Sequence, residues 1–145
     1  MTAKQEKAVA CYLKEFNCAQ AVLIAFCEES GLDTTLALKI ASGFGSGLRQ
    51  GGVCGAASGA AMVIGLWCGH TTEGDKAQKN YCNQKTLSFL ETFAAECGNL
   101  TCCEFMGYDV YDEAVHLANK AKRLEICPPL VAKAVEILEM MEKEM

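Results

Sequence analysis

No Cys-x-x-Cys spacing occurs in this chain, although ten of its 145 residues are cysteine. That absence removes zinc ribbons, thioredoxin-type couples and the ferredoxin ligand run, all of which need two thiols one turn apart. Cys-x-x-Cys-His is missing as well, which excludes c-type haem attachment. Proline is scarce: the only two, Pro128 and Pro129, are adjacent. Alternating runs of strand length are also lacking, so the chain reads as helices punctuated by glycine.

Other absences narrow the function. Basic residues are outnumbered 13 to 18, a net charge of −5, so no basic stripe is available to neutralise nucleic-acid phosphates. The longest apolar stretch, Val53 to Cys68, is too short to span a bilayer and is interrupted by Gly55, Ser58, Gly59 and Gly65. The polar opening, Met1 to Lys7, lacks the apolar core of a secretory signal, so a cytoplasmic protein without a membrane span is expected. No serine sits in a nucleophile elbow, no carboxylate pair stands out, and no Gly-Lys-Ser/Thr follows the glycine-rich stretch.

What is present is the composition of a folded domain, 51% apolar and 21% charged, in a length that suits one domain, residues 1–145. Helical periodicity predicts a first helix from Lys4 to Phe16. Asn17 with Gln20 forms a capping box for a second, from Cys18 towards Glu29, which Gly31 stops. Asp33 caps a third over Thr34–Ser42. The glycine-dense loop Gly43–Gly52 precedes a fourth over Val53–Trp67. Thr72 or Asp75 opens a long helix to Glu96, closed by Gly98. Thr101 with Glu104 caps a short one ending at Gly107. Asp109 caps a helix to Leu124, and the last begins at Pro128-Pro129, where a first-turn proline is tolerated. An all-α bundle of six to eight helices follows.

Laid over these boundaries, the cysteines separate. Cys18 follows cap Asn17, Cys54 follows the Gly51-Gly52 turn, Cys102 follows cap Thr101, and Cys127 precedes Pro128; all four lie at predicted helix N-termini. Cys11, Cys27, Cys68, Cys82 and Cys97 fall in helix interiors or near C-terminal ends, where a cysteine is usually a small buried hydrophobe. Cys103, beside Cys102, is ambiguous. Unpaired amides and the macrodipole favour an anion at a helix start. A thiolate is the form that binds metal or attacks disulfides. Four such starts, if they converge, suit an iron–sulfur cluster or another thiolate-ligated metal. Packing is the plainer account of the same four.

Gly55 and Gly59 are four apart, with Ala56 and Ala60 beside them, so one face of the fourth helix can approach another backbone closely. Simple helix packing explains the glycines but not the cysteine at the head of that surface. Here the chain resembles the C_GCAxxG_C_C family: Cys54-Gly55-Ala56-Ala57-Ser58-Gly59 matches its Cys-Gly-Ala-x-x-Gly signature. Asn17-Cys18-Ala19-Gln20-Ala21-Val22 resembles the first cysteine motif. Cys102, five before Gly107, resembles the third, and Cys127, ahead of Val131 and Ala134–Leu138, the fourth. Phe105 and Met106 depart from the usual leucines. The resemblance covers nearly the whole chain and implies a helical, redox-active protein acting through Cys18, Cys54, Cys102 and Cys127. The motif is similar to a domain of split-Soret cytochrome c proteins, which implies an iron–sulfur centre without the haems.

Three functions therefore stand open: electron transfer through a cluster or metal held by the four cysteines, a metal-free thiol–disulfide oxidoreductase, and a helical interaction module whose cysteines only pack. Gly55, Gly59 and Arg49 are the candidate cofactor-contacting residues, Arg49 as an offset to anionic charge. An exposed loop arginine is the blander alternative for it. His70 and His116 read as structural, since neither has a cysteine at ligand spacing. An unspecified redox partner protein is expected, and a homodimer is compatible with a small electron carrier.

Overall fold

The computed structural model describes all 145 residues. Its helices are α1 (Ala3–Leu13), α2 (Cys18–Cys27), α3 (Thr34–Ala41), α4 (Gly55–Cys68), α5 (Lys76–Cys97), α6 (Cys102–Met106), α7 (Glu113–Ala118) and α8 (Lys120–Glu144). The expected all-α class is observed. The only extended pairing is an isolated antiparallel bridge between Val53 and Thr101. That bridge draws Val53 out of the helix predicted to contain it, so α4 starts at Gly55.

The predicted caps place the helix starts. Asn17 Oδ1 accepts from the Gln20 amide at 2.8 Å, and Gln20 Oε1 accepts from the Asn17 amide at 2.8 Å. The same two side chains reach beyond α2. Asn17 Nδ2 donates to the carbonyls of Ala41 and Ser42, and Gln20 Nε2 donates to Leu38 O and Ser42 Oγ. One capping box therefore both starts α2 and ties it to the end of α3. Thr101 accepts from the Glu104 amide at 3.3 Å and starts α6, which Gly107 ends in a left-handed conformation.

α2 is the central helix; every residue from Ala19 to Cys27 is buried. α1, α3, α4 and α8 pack round it. Phe26 meets Trp67 of α4 edge-on, and Phe93 of α5 meets Phe105 of α6, which docks the short helix onto the bundle. The close approach of α2 and α4 depends on glycine. A Cβ at Gly59 would lie 2.7 Å from Ala19 O, and one at Gly55 would lie 3.0 Å from Cys18 Cβ.

The chain departs from expectation near its end. Asp109 caps only a turn, through Tyr111, while Asp112 caps α7 through Val115. Asn119 separates α7 from α8. No helix begins at Pro128-Pro129; α8 runs through both. The orphaned carbonyls belong to Leu124 and Glu125, four residues back, and both residues are exposed and open to water. Each interior proline costs about 3 kcal/mol. Leu130, Val131, Val135 and Leu138 are buried along one stripe of α8, each contributing roughly 1.5–3 kcal/mol, and the sum prevails.

The glycine-dense loop is a short 3₁₀ turn, Ser42–Phe44, followed by a left-handed turn. Ser46, Gly47, Leu48 and Arg49 carry φ of 53°, 62°, 58° and 60°. Outside glycine this conformation costs roughly 1–2 kcal/mol per residue. Two backbone bonds pin the segment that follows: Cys54 N to Leu100 O at 2.8 Å and Cys102 N to Gly52 O at 2.7 Å.

Candidate functional site

The structure brings the four selected cysteines to one place. Cys18 at the first turn of α2, Cys54 at the cap of α4, Cys102 at the first turn of α6 and Cys127 on α8 all line one half-open cavity of about 520 Å³. None of the other six cysteines lines it. Cys103, left ambiguous by sequence, turns away: a Cβ at Gly51 would fall 2.0 Å from its sulfur, so Gly51 is the space that Cys103 occupies.

Cys127 reaches the cavity from the interior of a helix, not from a helix start as expected. No amide terminus serves it. Its thiol is nevertheless pulled down to about 7, chiefly by a hydrogen bond from Cys18, then by one from Tyr12 and by the Arg123 charge, against its burial. The three cysteines that do sit at helix starts go the other way. Cys18 is raised by holding the proton it shares with Cys127, and by burial. Burial pushes Cys54 up to about 12, although the Ala56 and Ala57 amides at the head of α4 oppose it. Burial, with repulsion from Cys127, pushes Cys102 up to about 11. Helix-start amides alone do not outweigh desolvation here. Without a metal, Cys127 is thus the one of the four thiols that ionises near neutrality.

The rim is basic. Arg49, Lys120 and Arg123 line the cavity, with Glu15 as a carboxylate that pairs with Lys120 at 3.5 Å. Arg49 is exposed on the left-handed turn and lines the cavity. Gly55 lines the cavity, whereas Gly59 does not; its service is to let α4 lie against α2.

Sequence reasoning missed a second group at this cavity. His116 is buried, with Nε2 2.8 Å from Ser46 Oγ and Nδ1 2.9 Å from Tyr108 OH. Arg123 donates to Tyr108 OH at 3.4 Å and to the His116 carbonyl. His116 is structural in that its ring bonds are satisfied, yet it also lines the cavity. His70 is exposed and apart from it. Tyr12 falls inside the first predicted helix with no mark of its own, and nothing local in the sequence marks Arg123 or Ser46.

No group of three or more His, Cys, Asp or Glu side chains is drawn together round a point that a metal ion would occupy. A mononuclear tetrathiolate centre, with every sulfur about 2.3 Å from one ion, does not fit these side-chain positions. A polynuclear cluster spreads its ligands over several metals and so asks for a wider ring of sulfurs than a single ion does.

An all-helical bundle that gathers four remote cysteines at one cavity defines a cysteine-centred class of helical protein. Residues 16–141 match the family model described as "Putative redox-active protein (C_GCAxxG_C_C)", and the chain belongs to that family. No curated protein and no solved structure matches the chain. No helix is long and apolar enough to cross a membrane.

Proposed function

We propose that the four-cysteine cavity is the redox centre of this protein, and that Cys18, Cys54, Cys102 and Cys127 hold an iron–sulfur cluster for electron transfer. The carrying observation is that four cysteines from four helices line one cavity while the other six do not. Charge supports it: burial, together with the proton that Cys18 shares with Cys127, keeps three of the four protonated, so loading all four as thiolates needs a compensating cation. The basic rim and the amides at the head of α4 favour the anionic product. The cluster would supply one-electron chemistry; the chain supplies ligands, a dry wall and positive charge.

The Cys18–Cys127 proton sharing favours a second reading, a metal-free dithiol couple. There the Cys127 thiolate attacks a disulfide substrate, releasing one thiol, and Cys18 resolves the mixed disulfide, releasing the other. Anaerobic purification separates the two. Iron and acid-labile sulfide with visible absorption, lost on Cys→Ser exchange at any of the four but not at Cys11 or Cys97, supports the cluster. Iron-free protein that reversibly loses two thiols at Cys18 and Cys127 supports the couple. If all four exchanges leave metal content and thiol titration unchanged apart from the thiols removed, both readings fail.

A further inference from the structure

Two further cysteines meet at the opposite end of α4. Cys68 closes that helix, about 20 Å along the axis from Cys54 at 1.5 Å per residue, so this place is separate from the four-cysteine cavity. Its carbonyl accepts from Gln78 Nε2 at 2.7 Å, which fixes the C-terminus of α4 against the first turn of α5. Cys82 lies four residues after Gln78, on the same face of α5 and one turn on. The Cys68 thiol donates to the Ile64 carbonyl at 3.3 Å, and Cys82 lies near enough across this joint to raise its pKa. Cys68 is buried and Cys82 half-buried, and a second, open cavity lined by Trp67, Cys68 and Tyr81 gives access from solvent.

We infer that Cys68 and Cys82 form a reversible disulfide, a second thiol-modification site that links α4 to α5 and takes small-molecule disulfides as oxidant. Cys82, the more accessible sulfur, attacks as thiolate and forms a mixed disulfide, releasing one small thiol. Cys68 then gives up its proton and attacks the Cys82 sulfur, releasing the second. Two protein thiols are oxidised by two electrons to one S–S bond, and the small disulfide is reduced to two thiols that carry the two protons. Burial and the bond to Cys82 push the Cys68 thiol up to about 11, while the Lys85 charge opposes them. That order makes Cys68 the slower, resolving partner.

The test is exposure of the full chain to graded ratios of oxidised to reduced glutathione, acid quenching, alkylation and peptide mapping. The expected product is a peptide pair joined through Cys68 and Cys82, two hydrogens lighter than the reduced pair. It should reverse with reductant and persist in Cys127→Ser, where the cavity couple is disabled. Cys68→Ser should instead trap glutathione on Cys82. Persistent glutathione adducts on Cys82 in the unsubstituted chain, a link from either residue to another cysteine, or two unmodified thiols would each overturn the assignment. None of these results depends on whether the four-cysteine cavity binds iron.

Discussion

The amide of Cys102 donates to the carbonyl of Gly52 at 2.7 Å, across a chain separation of fifty residues. With the returning bond from Cys54 to Leu100, it clamps the strand-like entry to α4 against the entry to α6. Two cysteines thereby start their helices side by side. Capping supplies the direction of each helix; the clamp supplies their adjacency. The left-handed turn just before it carries Ser46 and Arg49 to the same cavity, and its strain of roughly 1–2 kcal/mol per non-glycine residue is held by that clamp.

The α2–α4 contact sets how close Cys18 and Cys54 stand. Gly59→Ala would drive a methyl to 2.7 Å from Ala19 O, a backbone atom that cannot rotate away. The expected cost is about 1–3 kcal/mol in chemical denaturation, with weakened retention of any bound iron. Gly65→Ala on the same helix meets nothing within 4 Å and should stabilise by about 0.5–1 kcal/mol. Equal effects at the two positions would refute the packing account.

Cys102 and Cys103 are neighbours with opposite fates. Cys103→Ala removes a sulfur packed beside Gly51 and Val110, and should cost on the order of 1 kcal/mol while leaving the redox centre intact. Cys102→Ala should abolish iron retention by the centre while leaving Cys18 and Cys127 able to pair. Metal and thiol analysis of the two variants side by side decides between them.

In reduced protein stripped of metal, alkylation of Cys127 should rise with pH through a midpoint near 7. The rate follows the thiolate fraction, so it falls on the acid side and levels off above that midpoint. Cys18→Ala removes the largest stabiliser of this thiolate and should move the midpoint upward more than Tyr12→Phe does. Mass-spectrometric labelling across the range reads both shifts, and an unmoved midpoint in Cys18→Ala would show that Cys18 is not the proton donor.

Burial, with the Arg123 and Arg49 charges, holds His116 below its ordinary 6.5. The unfolded chain therefore takes up this proton more readily than the folded one. Stability from the neutral ring is complete above 6.5 and is lost as pH falls below that value towards the depressed folded one. His116→Gln cannot titrate, so its stability should fall less between about pH 7.5 and about pH 5.5 in urea melts. A parent and variant with the same slope would remove His116 from this account.

Pro129 is exposed inside α8. Pro129→Ala restores an amide to the Glu125 carbonyl and should stabilise the helix, by about 1–3 kcal/mol after the entropy of the freed unfolded chain is deducted. Urea unfolding measures it; a destabilised variant would mean that the proline is itself required to seat Cys127.

The amino-acid order by itself determined the helices whose boundaries are local chemistry. Asn17 with Gln20, Asp33, Asp75 and Thr101 each offer a side-chain acceptor to an amide two or three residues ahead, and Gly98 and Gly107 adopt the left-handed conformation that stops a helix. It also singled out Cys18, Cys54, Cys102 and Cys127 by position and by family resemblance. Tertiary structure decided the rest. Cys127 lies mid-helix because a buried apolar stripe outweighs two prolines, a balance invisible without knowing what α8 packs on. The reversed acidity of the four thiols arises from the hydrogen bond between Cys18 and Cys127, from desolvation and from neighbouring charges. Those are set by distances through space, which neighbours along the chain do not encode.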